Sequence, residues 1–255
     1  MDRRLWTRDE TIIALNLYCK IPFKESRASH PLVKYYAELI GRTPAAMNLK
    51  IGNLGRLDPT LKAKGITGLV NGSKLDEVVW NEFMSNPDAL AFESEQILAK
   101  YKGQDIETSS NIDVSNLPKG KERLAVVRQR VNQRFFRDTV LASYRYSCCI
   151  TGVSETSLLD ACHISSWGND INNRTNPRNG LCFISFFHRA FDKYLFAITP
   201  DYHIDISEKL IDTTLNGVFK DYLMDIHGKP IHLPERFMPD KYLLKQHYEQ
   251  YINVI

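Results

Sequence analysis

Two short apolar runs held apart by a polar loop constrain this chain more than anything else in it. Residues 157–164 form the first run, with Asp160 and His163 embedded. A loop over 165–178, rich in Asn and Gly, separates it from the second run, Gly180–Ile184. Apolar stretches of this length bounded by turn residues read as strands. Ser185 can then cap a short helix carrying His188, Phe191 and Asp192. The pattern predicts a β-hairpin with a long loop, packed on a helix. Period-two alternation puts Asp160 and Cys162 on one strand face, and a spacing of four puts His188 and Asp192 on one helix face. Taken singly, each residue has an ordinary role. A His in an apolar strand is usually a hydrogen-bonded core residue, Asn179 a turn residue and Asp192 a helix-end ion-pair partner.

The first half reads as helical. Thr7 and Glu10 stand at capping-box spacing, and Ile12, Ile13, Leu15, Leu17 and Tyr18 follow until Ile21-Pro22 ends the helix. A second helix starts near Ser29 and Pro31, with Gly41 at its C′ position. Thr43-Pro44 opens a third as N-cap and N1. Two helices joined by Gly-Arg-Thr-Pro resemble a helix-turn-helix or Myb-like unit, in which Lys50 and Arg56 could meet phosphates or base edges. A plain helical bundle fits the same pattern. Segments 75–85 and 89–101 continue it. Residues 103–120 are polar and aperiodic and read as a linker.

From 119 to 147 the charge is lopsided. Lys119, Lys121, Arg123, Arg128, Arg130, Arg134, Arg137 and Arg145 are opposed by Glu122 and Asp138 alone. An apolar stripe of Leu124, Val127, Val131, Phe135, Val140, Leu141 and Tyr144 predicts one long basic amphipathic helix. Such a face either contacts phosphates, releasing counterions, or is simply solvated. Net charge is only +3, with 43% hydrophobic and 25% charged residues, so it is the local distribution that points to nucleic acid. The five cysteines make an odd set, which suits a reducing cytoplasm. No leader-like or membrane-length apolar run is present in the sequence, so no membrane association is expected.

The runs LLDACHI, NPRNGL and FHRAFD occur in order, preceded by a C-x-x-T-G stretch at Cys148 or Cys149 to Gly152. Together they resemble the HNH (ββα-metal) endonuclease motif, and especially its bacterial restriction-type branch, over roughly residues 119–200. With the helical reading of 1–102 and the linker reading of 103–120, that resemblance makes the expected chain α+β, with an HNH nuclease domain and C-terminal extension at 121–255. It implies DNA phosphodiester hydrolysis in restriction or defence, double-stranded DNA as partner, and 5′ phosphate products. His163 matches the general base, Asn179 the residue that holds the hairpin loop, and His188 a metal ligand. Asp160 and Asp192 are further candidate ligands for Mg²⁺ or Mn²⁺. Arg123, Arg128, Arg130, Arg134, Lys50 and Arg178 are candidate DNA contacts.

Two positions depart from the family pattern. Cys162 stands immediately before the base, where an acid or His is common. A thiol is a poor Mg²⁺ ligand, so metal binding is assigned to Asp160. Phe187 replaces the first His of the usual pair. These departures keep open a DNA-binding protein with a decayed centre. Cys148, Cys149, Cys162 and Cys182 lack paired C-x-x-C spacing, so buried thiols are expected over a structural Zn²⁺, and a zinc-stabilised interaction module is the remaining alternative. His203, His227, His232 and His247 show no metal spacing and read as surface or core residues. Cutting both strands with one site per chain suggests a homodimer.

Overall fold

The computed structural model describes residues 4–66 and 72–254. Residues 1–3 of the charged N-terminal stretch lie outside them. The chain divides into two compact units, the first ending at Ser143 and the second beginning at Tyr144.

The first unit is helical: α1 (Arg8–Lys20), α2 (Pro31–Leu39), α3 (Pro44–Gly55), α4 (Pro59–Ala63), α5 (Lys74–Met84), α6 (Pro87–Lys102), α7 (Ile106–Ser109) and α8 (Lys121–Ser143). Helix α1 is its axis. The predicted capping box is formed, with Thr7 Oγ1 accepting from the Glu10 amide at 3.2 Å and Glu10 accepting from the Thr7 amide at 3.1 Å. Every residue from Glu10 to Cys19 is buried, because α2, α3, α5, α6 and α8 all pack on it. A helix enclosed on all sides has no need of a polar stripe. The polar Glu10 is held there by Arg42, at 2.7 Å, and by Arg4.

The α2–α3 turn follows the sequence reading closely. Gly41 adopts φ +67°, where a Cβ is disfavoured. The Gly41 amide bonds to Glu38 and the Arg42 amide to Ala37, a Schellman arrangement. Thr43 caps α3 through the Ala46 amide at 3.2 Å.

Residues 103–120, expected as a linker, hold α7 and contribute to a core. Ile106, Ile112, Val114 and Leu117 close on Phe92, Val127 and Val131. Scattered apolar residues do this without any periodicity, which is why the segment reads as loop in sequence. The basic helix exists as α8, and it packs on α1 and α6, so it lies in the first unit and not with the segment that follows Tyr144.

The second unit contains β1 (Leu159–His163), β2 (Gly180–Ile184), α9 (Ser185–Asp192), β3 (Phe196–Ile198), β4 (Ile204–Ile206), α10 (Glu208–Thr213), α11 (Gly217–Ile226) and α12 (Lys241–Val254). Strands β1 and β2 pair antiparallel, with Asp160 opposite Phe183 and His163 opposite Gly180. β3 and β4 form a second antiparallel pair. Phe183, Phe187, Phe191 and Phe196 are buried together beneath α9. Phe187, the departure from the usual His pair, is thus a core residue. The C-x-x-T-G stretch is a turn: Gly152 has φ +72° and bonds to Cys148, and the Cys149 amide bonds to Cys182 of β2 at 2.8 Å. Cys148, Cys149, Cys162 and Cys182 are all buried thiols. Among the described residues no helix is long and apolar enough to cross a membrane.

Candidate active site

The hairpin and α9 bring the predicted polar residues together. His188, on the first turns of α9, lies between two carboxylates. Its Nδ1 is 3.4 Å from Asp160 Oδ2 and its Nε2 is 3.5 Å from Asp192 Oδ2. The i, i+4 geometry expected for His188 and Asp192 is therefore realised, and Asp160 reaches the same ring from β1. Cys162, on the same strand face as Asp160, is fully buried and places Sγ 3.9 Å from Asp192 Oδ1. Cys162, His188 and Asp192 each offer one donor atom, and those atoms lie within 4.8 Å of one another. On thiol chemistry alone, Cys162 is a poor Mg²⁺ ligand. Asp160, preferred instead, sits on the opposite side of the imidazole.

Ser185 was expected to cap α9. The cap position is Ile184, which makes no side-chain cap bond, and the Ser185 hydroxyl donates to Asp160 Oδ2 at 2.8 Å instead. That bond orients the carboxylate facing His188.

His163 follows Cys162 and makes a different contact. Its Nε2 lies 2.8 Å from the Arg174 carbonyl oxygen. A carbonyl only accepts, so Nε2 carries the hydrogen and the basic lone pair is on Nδ1. Burial lowers the pKa of His163, the Arg174 hydrogen bond pulls it partly back, and the charges of His188 and Asp192 are felt at the ring. The imidazole is therefore neutral near pH 7. The Trp167 ring meets it edge-on at 5.7 Å, and Arg174 lies 5.2 Å over Trp167.

The loop that presents Arg174 is held by Asn179, which is fully buried. Its Oδ1 accepts from the Ser165 amide at 2.7 Å, and its Nδ2 donates to the carbonyls of Ser165, at 2.9 Å, and Asn173, at 3.0 Å. Three bonds from one side chain tie both ends of a polar loop with little apolar surface of its own. A change at Asn179 thus reaches His163 through the backbone of residues 173–174.

His163 and Asp192 line one cleft of about 450 Å³ together with Ser166, Asp170, Tyr194 and the α12 residues Gln246, His247 and Gln250. His247, predicted as a surface or core residue, is buried and stacks on Phe191 at 3.7 Å. No spacing signal could have found it, because α12 is brought beside α9 by packing alone.

The predicted DNA contacts fall into three groups. Lys50 is 4% exposed and pairs with the buried Asp76 at 2.5 Å beneath the Trp6 ring, so its charge is satisfied inside the first unit. Arg123 pairs with Glu107 at 3.0 Å, and Arg178 pairs with Asp240 at 3.1 Å. Arg128, Arg130 and Arg134 lie on the exposed side of α8. Arg128 lies over Phe92, Arg130 reaches the Asp113 carbonyl and Arg134 donates to the Ser110 carbonyl. These three are exposed and hold backbone or ring groups.

Comparison with curated proteins returns no match. Residues 148–199 match a family model described as HNH endonuclease, and that span contains the hairpin, the Asn-stapled loop and α9. The C-terminal half of this chain therefore carries a domain of the HNH endonuclease family, following a helical N-terminal region.

Proposed function

We propose that the chain is a metal-dependent endonuclease that hydrolyses DNA phosphodiester bonds, with His163 as general base. The observation that carries this reading is the state of His163: neutral, held at Nε2 by a backbone carbonyl, and lining a cleft with Asp192 beside the Cys162–His188–Asp192 donor set. A divalent ion held by those donors would neutralise charge on the scissile phosphate and the departing 3′ oxygen. His163 takes a proton from water at Nδ1, the water oxygen bonds to phosphorus, and the bond to the 3′ oxygen breaks. The imidazolium formed is stabilised by the Arg174 carbonyl and by the negative charge of Asp192. Asn179 acts as a positioning residue by keeping that carbonyl in place.

Double-stranded DNA is the substrate this reading favours, with the exposed arginines of α8 adding non-specific attraction to phosphates. A restriction or other defence role in the cytoplasm, and a homodimer that cuts both strands, complete the proposal by analogy with the family. The test is plasmid cleavage by the purified chain with divalent ions supplied one at a time. His163→Ala is expected to abolish nicking while leaving the circular dichroism spectrum and DNA binding unchanged. Nicking at the native rate by that variant would refute the base assignment.

A further inference from the structure

We infer that Cys162 binds the metal as a thiolate, which makes this a site for a zinc-class transition ion and not for Mg²⁺. The inference rests on the metal-dependent reading above and specifies which ion that site takes. Two donors each about 2.0–2.3 Å from an ion, at a tetrahedral angle, stand about 3.4–3.6 Å apart. His188 Nε2 and Asp192 Oδ2 are 3.5 Å apart, and Cys162 Sγ and Asp192 Oδ1 are 3.9 Å apart. These two pairs, made through different oxygens of Asp192, are close to that spacing, and one donor atom from each of the three residues lies within 4.8 Å of the others. They supply one sulfur, one nitrogen and one carboxylate, which leaves a position for solvent, as in catalytic zinc sites. Mg²⁺ asks for oxygen donors in a nearly octahedral set and surrenders its water reluctantly. A buried sulfur in the donor set wastes one of those positions, whereas thiolate and imidazole together select zinc and its neighbours.

Asp160 then has a separate task. Its Oδ2 faces His188 Nδ1 at 3.4 Å and is itself held by the Ser185 hydroxyl at 2.8 Å. A carboxylate there keeps the proton on Nδ1 and the lone pair on Nε2, the nitrogen facing Asp192 and the side from which the metal is held. Asp160 is thus a positioning residue and not a ligand. The ordinary role of a buried cysteine is that of a small hydrophobe. Cys162 differs from that case because its sulfur faces a carboxylate beside an imidazole, and among the described residues this is the grouping whose donors converge.

The experiment is titration of the full chain, stripped of metal, with Co²⁺, read by absorption. A near-ultraviolet thiolate-to-cobalt charge-transfer band is expected, displaced by one equivalent of Zn²⁺ and unmoved by about a thousandfold excess of Mg²⁺. Cys162→Ser is expected to lose the band, while His163→Ala keeps it. Asp160→Asn is expected to keep the band with Co²⁺ affinity lowered about 10- to 100-fold. Absence of Co²⁺ binding, Co²⁺ binding without the band, displacement by millimolar Mg²⁺, or a band surviving in Cys162→Ser would each overturn the inference. If Cys162→Ser does not fold, the wild-type spectrum and its Mg²⁺ competition decide alone. Nicking supported by Mg²⁺ in a chain with no band would sink the thiolate and spare the nuclease. A band without nicking under any ion would do the reverse.

Discussion

Acid should loosen the C-terminal helix through one residue, His247. The ring is 6% exposed and stacks on Phe191 at 3.7 Å with its plane tilted by only 3°. Among the described residues its Nδ1 has no hydrogen-bond partner. Burial lowers its pKa from the ordinary 6.5 to about 4, partly offset by a hydrogen bond to the Phe191 backbone. A proton therefore binds the unfolded chain more tightly than the folded one. The contribution to stability is fully present above the unfolded value of 6.5, falls as the pH drops below it, and levels off below about 4. One pKa unit corresponds to about 1.4 kcal/mol, so the loss attributable to His247 is about 1.4 kcal/mol at pH 5.5 and about 3 kcal/mol at pH 4. His247→Phe keeps a flat ring on Phe191 and removes the titration. Urea denaturation of both proteins across pH 7 to 4, with hydrogen exchange of the α12 amides as a local readout, isolates the effect by difference. The wild type should lose about 3 kcal/mol more than the variant over this range. Parallel stability curves would show that the protonated ring finds a partner, and the burial argument would fail.

Cleavage should decline on the acid side with a midpoint below 6.5, because burial lowers the His163 pKa and protonation removes the base; a midpoint above that value in the pH–rate profile contradicts the assignment. Asn179→Ala removes three buried hydrogen bonds and should cost about 2–4 kcal/mol in chemical denaturation along with most of the turnover, whereas unchanged stability would mean that the loop is held otherwise. Lys50→Met leaves the buried Asp76 carboxylate unpaired and should destabilise the first unit by about 3–5 kcal/mol; a variant as stable as the wild type but selectively weaker on DNA would restore Lys50 as a contact. Neutralising Arg128, Arg130 and Arg134 should weaken binding equally on all DNA sequences and flatten its salt dependence, and a sequence-selective loss in a binding assay would show that they read bases.

The elements of the site could be read from the chain alone because their signals are local. Short apolar runs bounded by turn residues placed β1 and β2, a spacing of four placed His188 beside Asp192, and Thr7, Gly41 and Thr43 marked helix ends through bonds made within a few residues. Position along the chain could not say which side of the His188 ring each carboxylate would take, and it misassigned Ser185, which holds Asp160 instead of capping α9. Nor could it show that a thiol discounted for its chemistry would be aimed at Asp192, that Lys50 would spend its charge on Asp76, or that His247 would arrive beside Phe191. Residues 103–120 look like a linker for the same reason: their four apolar side chains gain a core only when α6 and α8 supply its other walls. Periodicity and capping are properties of neighbours in sequence, and so the helices and the hairpin were determined there. Donor geometry, burial and the pairing of charges depend on residues far apart in sequence, and only the packed tertiary structure decides them.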